Sequence, residues 1–305
     1  MIAPEAPPAS VAVVIVTYNS KDTLGHCLAS LSRYVGIPLE VAVVDNASAD
    51  GSAEVPVDHR LAVQVIENSA NLGFAHGCNQ GLRATTAPHV LFLNPDAEVT
   101  AGAVEVLVAA LDSHPDVGAV GPLTRHGDGA VQVSTGPDLT PWAERRQRGL
   151  VRGVRHREPR AVVEASARHA VEHRPGWVSG ACLMARREAL EAVGGFDEGF
   201  FLYEEDADLC RRLREAGWGV LFTPAAEVLH RLGQSMARAP RRARLEYHRS
   251  HLRYYQKHNG RLHRVTLRAL LLGRALLGLC RGLVTGDADA EAEARAVLDL
   301  ALGRA

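Results

Sequence analysis

VAVVIVTYNS, residues 11–20, sets six consecutive apolar residues in front of a Thr-Tyr-Asn-Ser cluster. A short β-branched run bounded by polar residues reads as a strand buried on both faces, the kind found in parallel sheets. It is too short for the apolar core of a signal peptide, and MIAPEAPPAS before it lacks a basic segment, so no export signal is expected. With residues 11–17 as a strand, Thr17, Tyr18, Asn19 and Ser20 stand at its carboxyl end.

The pattern repeats outward from there. LEVAVVD (39–45), LAVQVIE (61–67), HVLFLN (89–94) and VGAVG (117–121) read as further strands, with helical stretches between them such as 21–34 and 101–113. Near-continuous apolar strands alternating with helices predict an α/β fold, a Rossmann-like, mostly parallel central sheet with helices on both faces. Such sheets bind ligands beyond the carboxyl ends of their strands. The second strand ends on Asp45-Asn46-Ala47-Ser48 and the fourth on Asn94-Pro95-Asp96, so three polar clusters fall on one edge. Ser20 and Ser48 read individually as caps or turn residues.

The bulk numbers agree with a folded enzyme-sized chain: 305 residues, 47% hydrophobic. Five cysteines without a CxxC spacing argue against a zinc site or a disulfide framework and suit a reducing cytoplasm. The net charge of −1 hides an asymmetry, because residues 238–281 hold twelve Lys/Arg against one acid, Glu246. A basic tail on an acidic body points to an anionic surface as its partner.

From 122 to about 175 the periodicity fades. Seven arginines lie between 145 and 160 with only Glu158 opposing them, which reads as an irregular, solvated insertion or as an acceptor-side loop facing phosphates. Residues 176–190 and 217–230 restore strand and helix patterns, the latter ending on His230. The apolar run 265–284 raises the question of a membrane span, but Arg268, Arg274 and Arg281 would each cost about 2.5 kcal/mol or more at the bilayer centre. An amphipathic helix lying in the interface, or packed on the domain, fits better.

The densest chemistry is FLYEEDADLCRRL (201–213), which crowds Glu204, Glu205, Asp206 and Asp208 into the start of a helix. Asp208 has Arg211 and Arg212 one turn on, an ordinary helical pairing. Asp206 has Leu209 and Cys210 there, so it lies on an inward face and needs another use. Asp96 is placed to grip a hard divalent cation, Mg²⁺ or Mn²⁺, that also holds substrate phosphates. If the substrate is a sugar nucleotide, an aspartate such as Asp206 would deprotonate the attacking hydroxyl. There is no P-loop, no G-x-G-x-x-G and no G-x-S-x-G, which demotes NTPase, dinucleotide and simple hydrolase readings.

VVIVTYNS, VVDNASADGS, NLGFAHGCNQG, FLNPDA, the long segment 176–218 and VLH, in this order, resemble inverting family 2 glycosyltransferases of the GT-A fold, above all their bacterial rhamnosyltransferase-like members. The resemblance runs from about 11 to 235 and leaves 236–305 as a basic, amphipathic helical region that would associate with the membrane. It implies that Thr17, Tyr18, Asn19 and Asp45 hold the nucleoside, that Gly73, Phe74 and Asn79 line the nucleotide-sugar pocket, and that Asp96 and His230 reach the metal or diphosphate. It also implies Asp206 as general base, with Glu204, Glu205, Trp177 and Gly180 on the acceptor side. Asn94 departs from the family's metal-binding motif, standing where the first Asp is usual; its amide would contact the ribose or a metal-bound water.

The expected activity is transfer of L-rhamnose from dTDP-rhamnose to a lipid-linked or polysaccharide acceptor, at the cytoplasmic face of the membrane. The alternatives are another donor such as a UDP- or GDP-sugar, or a non-catalytic scaffold gripping membrane or nucleic acid. No aromatics interleave with the arginines of 145–160, which speaks against nucleic acid. A glycosidase using Glu205 and Asp206 together is disfavoured, because helix neighbours point about 100° apart.

Overall fold

The computed structural model describes residues 9–56, 58, 60–231 and 240–304. The boundary expected at 235/236, Arg238 and the first eight residues lie outside the described residues.

β1 (Val11–Thr17) is the centre of the first half of the chain, pairing in parallel with β2 (Leu39–Asp45) and β4 (His89–Leu93). Its side chains alternate between two cores. Val11, Val13 and Ile15 join one with α1 (Lys21–Tyr34) and α3 (Ala103–Ser113); Ala12, Val14 and Val16 join the other with α2 (Phe74–Arg83). Both faces being covered is why the run is continuously apolar.

β3 (Ala62–Glu67), β5 (Ala97–Val99), β6 (Val117–Arg125), β9 (Cys182–Arg186) and β10 (Gly219–His230) complete an eight-stranded sheet of order β3-β2-β1-β4-β9-β6-β10-β5. It is mostly parallel, as expected, with two exceptions that matter for function. β9 runs antiparallel between β4 and β6, so its entry, Gly180-Ala181, meets the exit of β4. β5, three residues long and unmarked in the sequence, pairs antiparallel with the end of β10 and sets His230 opposite Ala97.

The region 122–175 is not irregular. After β6 and the two-residue strand β7 (Thr135–Gly136), which pairs with β8 (Trp177–Val178), it forms α4 (Pro141–Arg155) and α5 (Pro159–Arg168). Thr140 caps α4 by accepting from the Ala143 amide, and a proline opens each helix. Many polar positions hid the helical period, because α4 buries only Glu144, Leu150 and Gly153.

α6 (Arg187–Ala192) and α7 (Glu205–Glu215) return to the sheet, and α8 (Pro240–His258), α9 (Arg261–Thr285) and α10 (Ala288–Leu302) form a helical C-terminal region. That region is not a free tail. Phe200 and Ala207 share a third core with Tyr254, Tyr255, Leu267 and Leu271. No helix among the described residues is long and apolar enough to cross a membrane.

α2 lies so close to β1 that a Cβ on Gly81 would meet Val14 Cγ1 at 2.3 Å. Gly81→Val should therefore overpack this contact and cost about 1–3 kcal/mol, measured by urea unfolding; an unchanged midpoint would show that α2 can shift without loss.

Candidate active site

The rim is built where strands end. Thr17 and Asp45 are register partners at the carboxyl ends of β1 and β2, and both are buried. Asp45 Oδ2 accepts from the Ser48 amide at 2.9 Å, while Asp45 Oδ1 and Thr17 Oγ1 are buried without a hydrogen-bond partner. Two orphaned polar atoms side by side, on the edge where such sheets bind ligands, are a cost that a bound polar group would relieve.

The adjoining loops are tied together. Asn19, at φ 53°, accepts from the Ala49 amide and donates its own amide to Ser48 Oγ. Ser20 occupies the N-cap position of α1, yet its hydroxyl donates to the Tyr18 carbonyl. Neither hydroxyl caps a helix as expected: Ser20 Oγ bonds within its own loop, and Ser48 Oγ ties the two loops together. Tyr18 is 42% exposed at this edge.

Asn46 Nδ2 donates to the Gly73 carbonyl, and the Phe74 amide donates to the Phe201 carbonyl at 2.8 Å. Gly73 is required there: φ is 92°, and a Cβ would stand 2.5 Å from that same carbonyl. Asn79, expected in the donor pocket, has its amide engaged from both ends by the 196–198 turn, accepting from the Phe196 amide and donating to Phe196 O and Glu198. It fastens the wall that Gly73 and Phe74 present.

On the other side of the rim, the Asn94 amide donates to Ala181 O at 2.9 Å, and the Gly180 amide donates to Asp206 Oδ2 at 2.8 Å. The antiparallel entry of β9 therefore links the exit of β4 to the acid of α7. A Cβ on Gly180 would lie 3.3 Å from that of Asp206, so glycine permits the approach. Desolvation pushes the Asp206 carboxyl up to about 6, against the pull of the Gly180 amide. Glu205 rises well above the usual carboxylate range through burial and the adjacent Asp206 charge, and its Oε2 has no partner.

The β5–β10 pairing brings Asp96 and His230 together, Oδ1 to Nε2 at 3.1 Å, with Asn94 Nδ2 at 3.5 Å from the same nitrogen. His230 Nδ1 faces Gln132 Oε1 at 3.2 Å, a partner the sequence did not single out. Among the described residues no cluster of three or more His, Cys, Asp or Glu could hold a metal. One carboxylate and one imidazole still fit a hard cation that draws its remaining ligands from substrate phosphates and water.

Trp177 stacks its ring against Gly136 and bridges two cores, its Nε1 buried without a partner. Glu204 does not face an open cleft, because its Oε1 pairs with His251 Nδ1 at 3.0 Å. Asp208 is fully buried and pairs with Arg212, as its spacing implied, and also with Lys257 and His258 of α8. These α8 partners escaped sequence reasoning; His251, Tyr254, Tyr255 and His258 repeat at i, i+3, i+4 and i+7, a one-face pattern that could have marked them.

Comparison with known proteins gives this rim a class. The family model described as glycosyl transferase family 2 matches residues 12–194, and a second, glycosyl transferase family group 2, matches 152–286. The chain is 36% identical over 258 residues to the N-acetylglucosaminyl-diphospho-decaprenol L-rhamnosyltransferase of Mycobacterium tuberculosis, covering 78% of this chain and 81% of that protein. It is a glycosyltransferase. More particularly, it belongs to glycosyl transferase family 2.

Solved structures agree on the fold. The mannosyltransferase PcManGT from Pyrobaculum calidifontis, in complex with GDP-Man and Mn²⁺, superposes with a TM-score of 0.59 at 20% identity over 98% of this chain and 88% of that one. GalNAc-T7 with UDP, GalNAc and Mn²⁺ gives 0.52 at 18% identity over 73% of this chain and 43% of that one. The expected GT-A architecture is therefore present.

Burial pulls the His251 imidazole down, but its hydrogen bonds to Glu144 and Glu204 outweigh that and bring it up to about 9. This lies above the ~6.5 of a free histidine, so the stabilisation is complete below about pH 6.5 and is lost as pH rises through about 9. The melting temperature of the wild type should fall over that interval. His251→Gln should be less stable by about 3–5 kcal/mol at neutral pH and should flatten the fall; parallel melting curves would rule out the ion triad as its source.

Proposed function

We propose that this glycosyltransferase moves L-rhamnose from dTDP-rhamnose onto a lipid-linked diphosphate acceptor at the cytoplasmic face of the membrane, inverting the anomeric centre. The observation that carries the reading is the placement of Asp206, held by Gly180 on the same rim as the unfilled Thr17 and Asp45 atoms. The mycobacterial relative, named for rhamnosyl transfer to N-acetylglucosaminyl-diphospho-decaprenol, supplies the sugar and the acceptor class.

In this mechanism Thr17, Tyr18, Asn19 and Asp45 take the nucleoside, and Gly73 and Phe74 the sugar-facing wall, held by Asn79. Asp206 takes the proton of the acceptor hydroxyl as its oxygen bonds to the anomeric carbon and the bond to the nucleotide diphosphate breaks. A carboxyl pushed to about 6 is ionised at neutral pH yet basic enough to accept a proton. Burial and the neighbouring Asp206 charge push the Glu205 carboxyl well up, which disfavours a second charge beside Asp206. Asp96 and His230, with Asn94, would hold a Mg²⁺ or Mn²⁺ ion, which offsets the charge growing on the departing diphosphate.

The membrane contact is assigned to α9. Leu267, Leu271 and Ala275 pack inward, while Leu262, Val265, Leu270, Leu276, Leu277 and Leu283 are exposed. At about 100° per residue the exposed set forms one stripe, with Arg274 and Arg281 on one flank and Arg261 and Arg268 on the other. An apolar stripe flanked by cations fits an anionic bilayer surface.

Two measurements test this. Asp206→Asn should bind dTDP, titrated calorimetrically with Mn²⁺ present, as the wild type does, while transfer falls by at least ~10³-fold; wild-type transfer should decline as pH drops below about 6. Lost dTDP binding in that variant would make Asp206 structural, and UDP preferred over dTDP would change the donor. Replacing Leu276, Leu277 and Leu283 together by Asp should release the chain from phosphatidylglycerol vesicles without unfolding it, since all three are exposed; retained binding would place the membrane contact elsewhere.

A further inference from the structure

A second cavity of about 760 Å³ opens between α4, α8 and α9, away from the strand-end rim. Its size is that of a small-molecule site. Arg145, Arg148 and Arg152 lie at i, i+3 and i+7 of α4 and so share one face, directed into the cavity, with Arg274 of α9 opposite. The arginines that read as an insertion facing phosphates thus acquire a place in the fold.

Their partners are unequal. Arg148 bonds Glu144 at 2.6 Å and also contacts Tyr247 and His251. Among the described residues Arg145, Arg152 and Arg274 have no hydrogen-bond or ion-pair partner. Three unpaired guanidinium groups around one cavity make a site for an anion with several oxygens, the geometry that forked donors recognise best. His248 Nδ1, buried without a partner in the same wall, is a further polar atom free to meet a ligand.

The cavity is also amphipathic. Leu267, Leu270 and Leu271 line its α9 side, and the Trp142 indole, 76% exposed, stands at its edge. Leu270 belongs as well to the exposed stripe of α9, so the apolar wall runs on into the face assigned to the membrane. The inner wall runs on toward the rim: His251 lines the cavity and bonds Glu204, two residues before Asp206.

We propose that this cavity binds the diphosphate and first isoprene units of the lipid-linked acceptor, with Arg145, Arg152 and Arg274 on the diphosphate and the α9 leucines and Trp142 on the hydrocarbon. This deepens the transferase reading and rests on its acceptor class. The chain of the acceptor enters along the α9 stripe and the diphosphate stops at the arginines, on the outer side of the His251–Glu204 pair that backs the rim. Arg148 keeps Glu144 and His251 in place at the inner wall.

The test is calorimetric titration of farnesyl diphosphate, with farnesol and inorganic diphosphate as controls, into the full chain and into an Arg145→Gln, Arg152→Gln, Arg274→Gln variant. The wild type should bind farnesyl diphosphate better than either control. The variant should lose at least about 100-fold, since each hydrogen bond to a charged group is worth roughly tenfold or more. Its dTDP affinity and melting temperature should stay at wild-type values, because the three side chains touch neither the rim nor the core.

Equal farnesyl diphosphate affinity in the two proteins overturns the proposal, as does a wild type that binds dTDP but not farnesyl diphosphate. A variant that loses only phosphatidylglycerol vesicles and keeps farnesyl diphosphate also overturns it, assigning the arginines to lipid head groups. A wild type that binds farnesyl diphosphate but no nucleotide would support the cavity while sinking the donor reading.

Discussion

Tyr203 and Glu204, at φ 71° and 65°, hold two consecutive non-glycine residues in the left-handed region immediately before the helix that carries Asp206. Each such residue costs of order 1 kcal/mol or more and persists only where its surroundings impose it. Three contacts do so. The Phe74 amide grips Phe201 O, the Ser250 hydroxyl grips Leu202 O, and the His251 imidazole grips the Glu204 carboxylate. Two of the three come from α8, so the position of the acid depends on a helix that begins 34 residues further along the chain.

That dependence explains why the C-terminal region buries so much charge. His251 and His258 of α8 meet Glu144, Glu204 and Asp208 in sites that are almost fully buried, and the partly exposed Lys257 joins them at Asp208. Buried ion pairs add little net stability over apolar packing, but breaking one partner is costly, so they define a single alignment. An apolar α8 would hold α7 as firmly and leave the 203–204 turn free to relax. The charge network instead specifies how α8 docks, and through Glu204 it specifies where Asp206 points.

The parts of this arrangement legible in the sequence are those made by neighbours in the chain. β1, β2 and α1 were readable to the residue because burial on both sheet faces writes a continuous apolar run, and because polar residues end it abruptly at Thr17 and Asp45. β5 was not readable, since three residues carry no period; its role came from pairing with a strand 130 positions away. α4 and α5 were hidden by their arginines, and α8 by the polarity of a face that is buried yet satisfied by carboxylates from elsewhere. Hydrophobic periodicity reports burial against carbon, not burial against charge. For the same reason Asp206 stood out, its helical neighbours offering no counter-charge, while Glu204 looked available and proved to be occupied.

The site is therefore two constructions of different kind. One half is made of strand ends and the α2 entry, held by local turns and the rigid sheet. The other half is made of α4, α7 and α8, brought together by long-range ion pairs and by the core that Ala207 shares with Tyr254 and Tyr255, and it continues without interruption into α9. One face of α9 packs Leu267 and Leu271 into the core shared with Phe200 and Ala207, while the other stays apolar and uncovered. Seating the outer face on a bilayer would therefore act on the same helix layer that fixes the acid. Under the proposed membrane contact, Asp206 and the outer face of α9 would meet a bilayer-anchored acceptor from one packed helix layer, which a free tail could not provide.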